Sequence, residues 1–306
     1  MASLLRFSVP GSTTNLGHGF DCLGAALTCA NVIEVQPTGD GVVSAVDARE
    51  AGLVAMASRV REACMSQWAT ALPGFRIRIE GDVPIARGMG SSSTILLGAA
   101  AACQALAKRA WNREELLPIC AALEGHPDNV AAACLGGFTV VGAVGDQLRW
   151  ARFPIPEELK AVVAIPPFEV KTAEARRILP GEVGRADLVM ALQRTALIAA
   201  AMATKDAQRL RGLFDQAWHE RHRAGLNPGL IEARQAADSA GAYGTILSGS
   251  GSSVLSFCPA AGASAVAEAV AASYRSRQVA AEVRILGFDN AGIVKLRERR
   301  PAARPA

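Results

Sequence analysis

The sequence predicts an α+β fold, and three of its features support that prediction. Half of the 306 residues are apolar, enough to bury a sizeable core in one large domain or two packed ones. Short runs with strand character and Ala-rich runs with helical character are mixed along the chain, without strict alternation. The chain contains no internal repeat, and its only compositional bias is richness in alanine, which is common in helical cores.

The elements follow from local patterns of apolar, β-branched and turn residues. Strands are predicted at residues 4–9, 31–36, 75–80, 138–141, 161–165, 245–247, 253–257 and 279–286. Helices are predicted at residues 53–69, 92–108, 114–123, 186–204, 230–239 and 263–273. The proline-rich segment 153–156 is the best candidate for a boundary, which divides the chain into domains at residues 1–155 and 156–306.

The net charge of +4 lies in the last twelve residues, 295–306, so the remainder of the chain is neutral. Binding to a nucleic-acid backbone usually needs an excess of basic residues, and we therefore expect no nucleic-acid partner. The tail contains two prolines and is predicted to be disordered.

Cysteine usage and hydropathy indicate a cytoplasmic protein. The seven cysteines form no CxxC pair and stand among apolar neighbours, as reduced core thiols do. Residues 1–10 lack the features of a signal peptide. The apolar stretch at 95–107 is too short to cross a bilayer and is interrupted by Gln104, so no membrane association is expected.

The most informative segment is DVPIARGMGSSST at residues 82–94, which leads directly into an Ala-rich helix. Gly88 and Gly90 allow the backbone to approach an anion closely, and hydroxyl side chains fill the first helical turn, where free N–H groups attract phosphate. The sequence has neither a P-loop lysine motif nor a dinucleotide-binding glycine motif after a strand. An ordinary loop with serine N-caps remains the alternative interpretation.

This loop resembles the Pro-x-x-x-Gly-Leu-Gly-Ser-Ser-Ala signature of the GHMP small-molecule kinases. Three further segments resemble the homoserine kinase branch of that family: VPGSTTNLGHGFDCLG at 9–24, EGHPDNV at 124–130, and GTILSGSG at 244–251. The resemblance implies a ribosomal-S5-like nucleotide-binding domain followed by a ferredoxin-like domain, with the active site between them. It also implies ATP and Mg²⁺ as cofactors, L-homoserine as the substrate, and a homodimer.

The resemblance assigns roles to individual residues. Asn15 and Asp21 would hold the substrate ammonium, and His126, Arg176 and Arg223 would complete the substrate site. Asn129 would bond the attacking hydroxyl, and Thr172 and Arg176 would assist catalysis one helical turn apart. Ser92 and Glu124 would ligate Mg²⁺, with Glu124 also counted as catalytic. The nucleotide would be bound by Pro84, Arg87, Gly88, Met89, Gly90, Ser91, Ser92, Ser93 and Thr94.

Simpler interpretations stand beside these roles. Asn15 can belong to an ordinary turn, Thr172 can be only an N-cap, and the arginines can be surface charges. His126 can be a core histidine; a zinc site at His219 and His222 is disfavoured, because no third ligand lies nearby in sequence.

Two other functions remain open on sequence grounds. Departures from the family pattern at Lys171 and Ser93 are compatible with a kinase of another amino alcohol or a sugar. Gly52 stands where an asparagine often helps to hold adenine, which leaves a non-catalytic ligand-binding relative as a further alternative.

Overall fold

The computed structural model of the chain describes residues 4–45 and 51–297. Residues 298–306, most of the tail predicted to be disordered, lie outside the described residues. Within those ranges the structure has two β-sheets, with helices packed on each.

The strands are β1 (Leu5–Thr14), β2 (Leu23–Thr38), β3 (Val43–Ala45), β4 (Gly74–Gly81), β5 (Phe138–Val144), β6 (Gln147–Phe153), β7 (Leu159–Ile165), β8 (Gly244–Leu247), β9 (Val254–Pro259), β10 (Glu282–Leu286) and β11 (Val294–Lys295). The helices are α1 (Ala51–Trp68), α2 (Ser91–Leu106), α3 (Leu116–Glu124), α4 (Asp128–Leu135), α5 (Thr172–Arg177), α6 (Arg185–Ala203), α7 (Trp218–Arg223), α8 (Leu230–Ser239) and α9 (Ala263–Ser276).

The first sheet runs in the order β11-β1-β2-β4-β3, and β5 joins β2 to β6. Helices α1, α2 and α4 pack on this sheet, and α3 packs on those helices. Their apolar side chains form one buried core with the sheet that includes Phe7, Ile33 and Leu97. This core seats the amino terminus of α2 against the end of β1, which determines where the glycine–serine loop lies.

The second sheet runs in the order β10-β7-β9-β8, with α8 and α9 packed against it. A separate apolar cluster connects the two sheets: Leu27 and Phe138 come from the first, Val163 and Phe257 from the second. The two halves therefore share a buried apolar interface, which holds the cleft between them at a defined width.

The last strand crosses back to the first sheet. β11 pairs antiparallel with β1, and Phe288 forms an isolated bridge with Leu27 of β2. The predicted division at residue 155 stays a prediction, although β6 ends at Phe153 in one sheet and β7 begins at Leu159 in the other.

Each predicted strand and helix overlaps with an observed element, while β3, β6, β11, α4, α5 and α7 are not among the predicted elements. β6 is exposed along most of its length, so it lacks the apolar alternation by which a strand is recognised. α4 has eight residues and follows directly after a proline, which makes it too short for a periodic pattern.

Helix α6 has a length and composition that would suffice to cross a membrane, with a mean hydropathy of 1.4. Only 17% of its apolar window is buried. Ile198, Ala201 and Met202 attach it to the core, whereas Leu192 is 63% exposed.

Candidate active site

A cavity of about 290 Å³ opens between the two halves of the chain. Most of the side chains predicted from the sequence contribute to its wall. Its lining includes Asn15, Asp21, Arg87, Gly88, Met89, Gly90, Ser91, Ser92, Glu124, His126, Asn129, Thr172, Arg176 and Arg223. Residues that sequence reasoning did not single out complete it: Thr14, Met56, Ile85, Asp128 and Ser250, among others.

The glycine–serine loop ends at one side of this cavity, where α2 begins. Gly90 is the N-cap residue of α2 in the left-handed conformation, with φ of 70°, and Gly88 has φ of 69°. A Cβ atom at Gly88 would collide with the carbonyl oxygen of Ser248, and one at Gly90 with the hydroxyl of Ser12. Both glycines are thus required by the packing of the loop itself as well as by any bound anion. The free N–H groups of the first turn of α2 face the cavity and favour negative charge.

Some side chains predicted to bind nucleotide do not face the cavity. Ser93 and Thr94 are fully buried, and the Thr94 hydroxyl accepts a hydrogen bond from Asn31 at 2.9 Å. Pro84 is not part of the cavity wall. Met89 is also buried, although it belongs to the cavity lining. Nucleotide binding by these four residues stays a prediction.

Arg87 lies at the cavity but its guanidinium group is engaged elsewhere. Nε donates to the carbonyl of Pro166 at 3.1 Å and Nη2 donates to that of Pro167 at 2.9 Å. Nη1 also lies 3.4 Å from the carboxylate of Glu169. Arg87 therefore braces the loop after β7 against the glycine–serine loop, and its contact with phosphate stays a prediction.

The two predicted metal ligands are adjacent. The hydroxyl of Ser92 donates a hydrogen bond to Oε1 of Glu124, across the start of α2. Hard oxygen ligands of this kind suit Mg²⁺, which usually takes few protein ligands and completes its octahedron with water and phosphate oxygens. In the described part of the chain no group of three or more His, Cys, Asp or Glu side chains is placed to hold a metal ion.

His126 is oriented by the acids around it. Its Nδ1 lies 2.9 Å from Oδ1 of Asp128, and its Nε2 lies 4.0 Å from Glu124. Burial acts to lower the pKa of His126, but the hydrogen bond and charge of Asp128, aided by the charge of Glu124, raise it above 6.5 overall. This histidine is therefore part of the cavity wall and not a core residue.

Asn129 is held by two hydroxyl groups from β1. Ser12 donates to its Oδ1 at 2.9 Å, and its Nδ2 donates to the Thr14 hydroxyl at 3.1 Å. These bonds set the amide so that one N–H of Nδ2 remains for a ligand. Sequence reasoning did not find Ser12 or Thr14, because they lie more than 110 residues from Asn129 along the chain.

Asn15 and Asp21 lie in the loop between β1 and β2, both with left-handed φ values of 67° and 54°. The Asn15 amide is occupied on both sides: Nδ2 donates to the carbonyl of Gly249 at 2.9 Å, and Oδ1 accepts from the backbone N–H of Asp21 at 3.0 Å. Asn15 therefore shapes the loop that presents Asp21, as a turn residue does.

Asp21 is paired with Arg176 across the cleft. Nη1 donates to Oδ2 at 2.9 Å and Nη2 donates to Oδ1 at 2.5 Å, which is the two-pronged geometry that guanidinium groups form with carboxylates. The two side chains are 35% and 32% exposed, so both are accessible from the cavity. Arg176 is thus a partly exposed, ion-paired residue of the cavity wall.

Arg223 is almost fully buried behind the same wall. Its Nε donates to the carbonyl of Ala175, and its Nη1 donates to the carbonyl of Gly249 and to Nδ1 of His219. Burial, followed by the positive charge of Arg176, lowers the pKa of Arg223 to about 10. Among the described residues, Nη2 has no hydrogen-bond partner, and it remains available to a ligand in the cavity.

Thr172 is the first residue of α5, and Lys171 is its N-cap. The Thr172 hydroxyl lies 3.3 Å from that of Ser250, so the amino terminus of α5 contacts the third glycine-rich segment. Thr172 and Arg176 lie on one turn of this helix, and both line the cavity, as predicted.

The comparison with known proteins agrees with this geometry. The family model for the GHMP kinase N-terminal domain matches residues 53–137, and that for the C-terminal domain matches residues 198–276. The chain is 35% identical to the homoserine kinase of Microchaete diplosiphon, with 97% of this chain and 99% of that protein covered. It is 36% identical to the homoserine kinase of Nostoc sp., with 95% and 99% covered.

A solved structure of homoserine kinase from Cytophaga hutchinsonii superimposes with a TM-score of 0.87, covers 97% of this chain and 98% of its own, and is 23% identical. The predicted two-domain α+β fold is thus confirmed, and so is the predicted resemblance. With two family models that together match over half of the chain, and relatives above 30% identity over almost all of it, this chain belongs to the GHMP kinase family.

Proposed function

We propose that this chain is a homoserine kinase, which transfers the γ-phosphoryl group of ATP to the hydroxyl of L-homoserine in threonine biosynthesis. One observation carries the proposal: the Asp21 carboxylate and the Arg176 guanidinium are paired in a cavity that also contains the amino terminus of α2. The pair offers one partner of each sign, which matches the ammonium and carboxylate of an amino acid. The names of the relatives support the same substrate.

The acceptor is held by its two charged groups. Its ammonium binds the carboxylate of Asp21, and its carboxylate binds Arg176 together with the free Nη2 of Arg223. Together these contacts replace the ion pair between Asp21 and Arg176. They leave the side-chain hydroxyl directed toward Asn129 and the start of α2.

The phosphates of ATP lie against the backbone of residues 88–92. The N–H groups of the first turn of α2 neutralise negative charge there, and Ser92 and Glu124 would hold Mg²⁺. When bound, the cation shields the charge of the β- and γ-phosphates. The apolar side chains of Met56, Ile85 and Ile95 line the same cavity and suit the base.

The transfer itself relies on position. The oxygen of the acceptor bonds to the γ-phosphorus, the bond to the β-phosphate oxygen breaks, ADP leaves, and the hydroxyl proton is released. Asn129 cannot accept a proton as a base, so it orients the hydroxyl through its free amide N–H while the proton passes to a phosphate oxygen. A loose transition state needs little basic assistance, and alignment supplies most of the acceleration.

A coupled ADP-release assay tests the proposal with homoserine, threonine, 3-aminopropan-1-ol and a sugar panel. We expect homoserine to give the highest kcat/KM, and the Glu124→Ala variant to give only background. A clear preference for a sugar or another amino alcohol would contradict the substrate. Calorimetric binding of homoserine without any turnover would instead indicate a non-catalytic relative.

We also propose a homodimer in the cytoplasm, formed through the exposed apolar face of α6. Leu188 and Leu192, one helical turn apart on α6, are at least half exposed, more than a surface helix usually leaves uncovered. The ion pair of Asp187 with Arg221 favours a surface position for α6 over a membrane. The free cysteines fit a reducing compartment.

Light scattering checks the dimer. Leu192→Glu is expected to reduce the mass to that of a monomer, whereas Ile231→Glu, which alters an equally exposed side chain on α8, is expected to leave it unchanged. A dimer that survives Leu192→Glu would place the interface elsewhere.

A further inference from the structure

Two positively charged side chains share one wall of the cleft, and they must be held in place against their mutual repulsion. The charge of Arg176 contributes to the lowered pKa of Arg223, after burial. Both guanidinium groups have to face a single carboxylate if they act as proposed. The described contacts point to one side chain that touches both of them.

That side chain is Phe20. The guanidinium carbon of Arg176 lies 5.4 Å from the centroid of its ring, and that of Arg223 lies at the same distance of 5.4 Å. A cation within about 6 Å of an aromatic face is attracted by the ring's quadrupole. One ring therefore attracts both cations and reduces the cost of placing them close together.

The ring of Phe20 is itself fixed. Trp218 packs against it edge to face with centroids 5.2 Å apart, and the His219 ring lies 5.1 Å away. His219 is in turn bonded to Arg223 through Nδ1 and to the carbonyl of Gly17 through Nε2 at 2.7 Å. The aromatic group is thus connected to the loop that carries Asp21 and to the helix α7 that carries Arg223.

Phe20 does not contact the cavity, although Asp21, Arg176 and Arg223 all line it. The ring thus contacts both guanidinium groups without being one of the residues that line the cavity. Its neighbour Asp21 accepts both hydrogen bonds from Arg176, so residues 20 and 21 contact the same arginine through a ring and a carboxylate.

We propose that Phe20 is a positioning residue that sets the spacing and orientation of Arg176 and Arg223 for the acceptor's carboxylate. The proposal rests on the proposed function, since it assumes an acceptor with a carboxylate. In this proposal the aromatic ring of Phe20 contributes to substrate specificity as well as to packing.

The test compares Phe20→Leu, Phe20→Tyr and a pentafluorophenylalanine at position 20. Leucine removes the ring, tyrosine retains it, and pentafluorophenylalanine keeps its shape while reversing the quadrupole. Phe288→Leu is the matched control, because Phe288 is a half-buried aromatic residue that stacks on Phe257 in the core between the sheets. The readouts are Kd for homoserine by calorimetry, KM for ATP, and kcat/KM for homoserine and 3-aminopropan-1-ol, which lacks the carboxylate.

We expect Phe20→Leu and the pentafluoro variant to weaken homoserine binding about tenfold, as two cation–π contacts of about 0.5–1 kcal/mol each imply. KM for ATP and kcat/KM for 3-aminopropan-1-ol should change less than twofold. The Kd of Phe20→Tyr for homoserine should stay within about threefold of the wild-type value, and that of Phe288→Leu should be unchanged.

The proposal is overturned if the pentafluoro variant binds homoserine with the Kd of the wild type. It is also overturned if kcat/KM for both acceptors and KM for ATP are impaired by the same factor. The pentafluoro variant keeps the packing, so it decides the matter even where Phe20→Leu fails to fold. If the wild type neither binds nor phosphorylates homoserine, the proposed function is wrong. If the wild type is active and the variants show no selective loss, only the role of Phe20 is wrong.

Discussion

Replacement of Arg176 by glutamine tests how the cleft recognises an amino acid. The change removes the positive charge and the two-pronged donor while it keeps a polar side chain of moderate length. Because the pair with Asp21 is about one-third exposed at both partners, its loss should cost less than about 1 kcal/mol of folding stability. The protein should therefore remain folded, and any large effect should appear in catalysis.

The size of that effect follows from the geometry of the guanidinium group. It makes two hydrogen bonds to the carboxylate of Asp21, at 2.9 and 2.5 Å, and the acceptor's carboxylate would take the same two donors. Charge-assisted bonds contribute about 1.5–3 kcal/mol each, and solvent access places the sum near the low end, about 3 kcal/mol. This corresponds to a loss of about a hundredfold in kcat/KM. Arg176→Lys, which keeps the charge and one donor, should lose about tenfold.

The assay is coupled ADP release with homoserine and with 3-aminopropan-1-ol. The loss should be confined to homoserine, because the amino alcohol has no carboxylate for Arg176 to bind. Thermal unfolding of each variant serves as the control for folding. Carboxylate recognition by Arg176 would be refuted if Arg176→Gln lowered kcat/KM equally for both acceptors. It would also be refuted if kcat/KM for homoserine fell by less than about tenfold.

Three further predictions concern stability and the metal. Burial lowers the pKa of His219 to about 3, so below pH 6.5 the unfolded state binds more protons than the folded state. The free energy of unfolding should therefore be about 1.4 kcal/mol lower at pH 5.5 than well above pH 6.5. Denaturant titrations at several pH values should show that the stability of His219→Gln depends less on pH. Gly88→Ala should destabilise the fold by more than about 2 kcal/mol, because the added Cβ atom would collide with Ser248. The control is Gly145→Ala, at a glycine that is also left-handed but lies in open space, and it should cost about 1 kcal/mol. Equal denaturation midpoints for the two variants would contradict this. Glu124→Gln should raise the Mg²⁺ concentration for half-maximal activity at least tenfold, and an unchanged Mg²⁺ titration would remove Glu124 from the metal site.

The sequence was most informative where function imposes local patterns. The glycine–serine loop and the Ala-rich α2 could be predicted because the signal lies within about twenty consecutive residues. Arg87, Ser93 and Thr94 were assigned to the nucleotide from their position in the same loop, yet their side chains turn to the Pro166–Pro167 carbonyls or into the core. A motif specifies which backbone approaches a ligand better than it specifies where each side chain points.

Contacts between distant segments were not predictable in this way. The hydroxyls of Ser12 and Thr14 meet Asn129 only because β1 and α4 pack together, and neither residue carries a local signal of that partnership. Phe20 likewise looks like a turn aromatic until α5 and α7 bring two arginines to its ring.

The return of β11 to β1 affects how the chain folds as it is synthesised. The amino-terminal sheet contains a strand made of residues 294–295, so its edge cannot be completed until these residues have left the ribosome. Until then β1 exposes backbone donors and acceptors that can pair with other chains. A pause in synthesis before residue 294 should therefore increase aggregation, because it prolongs the exposure of this edge.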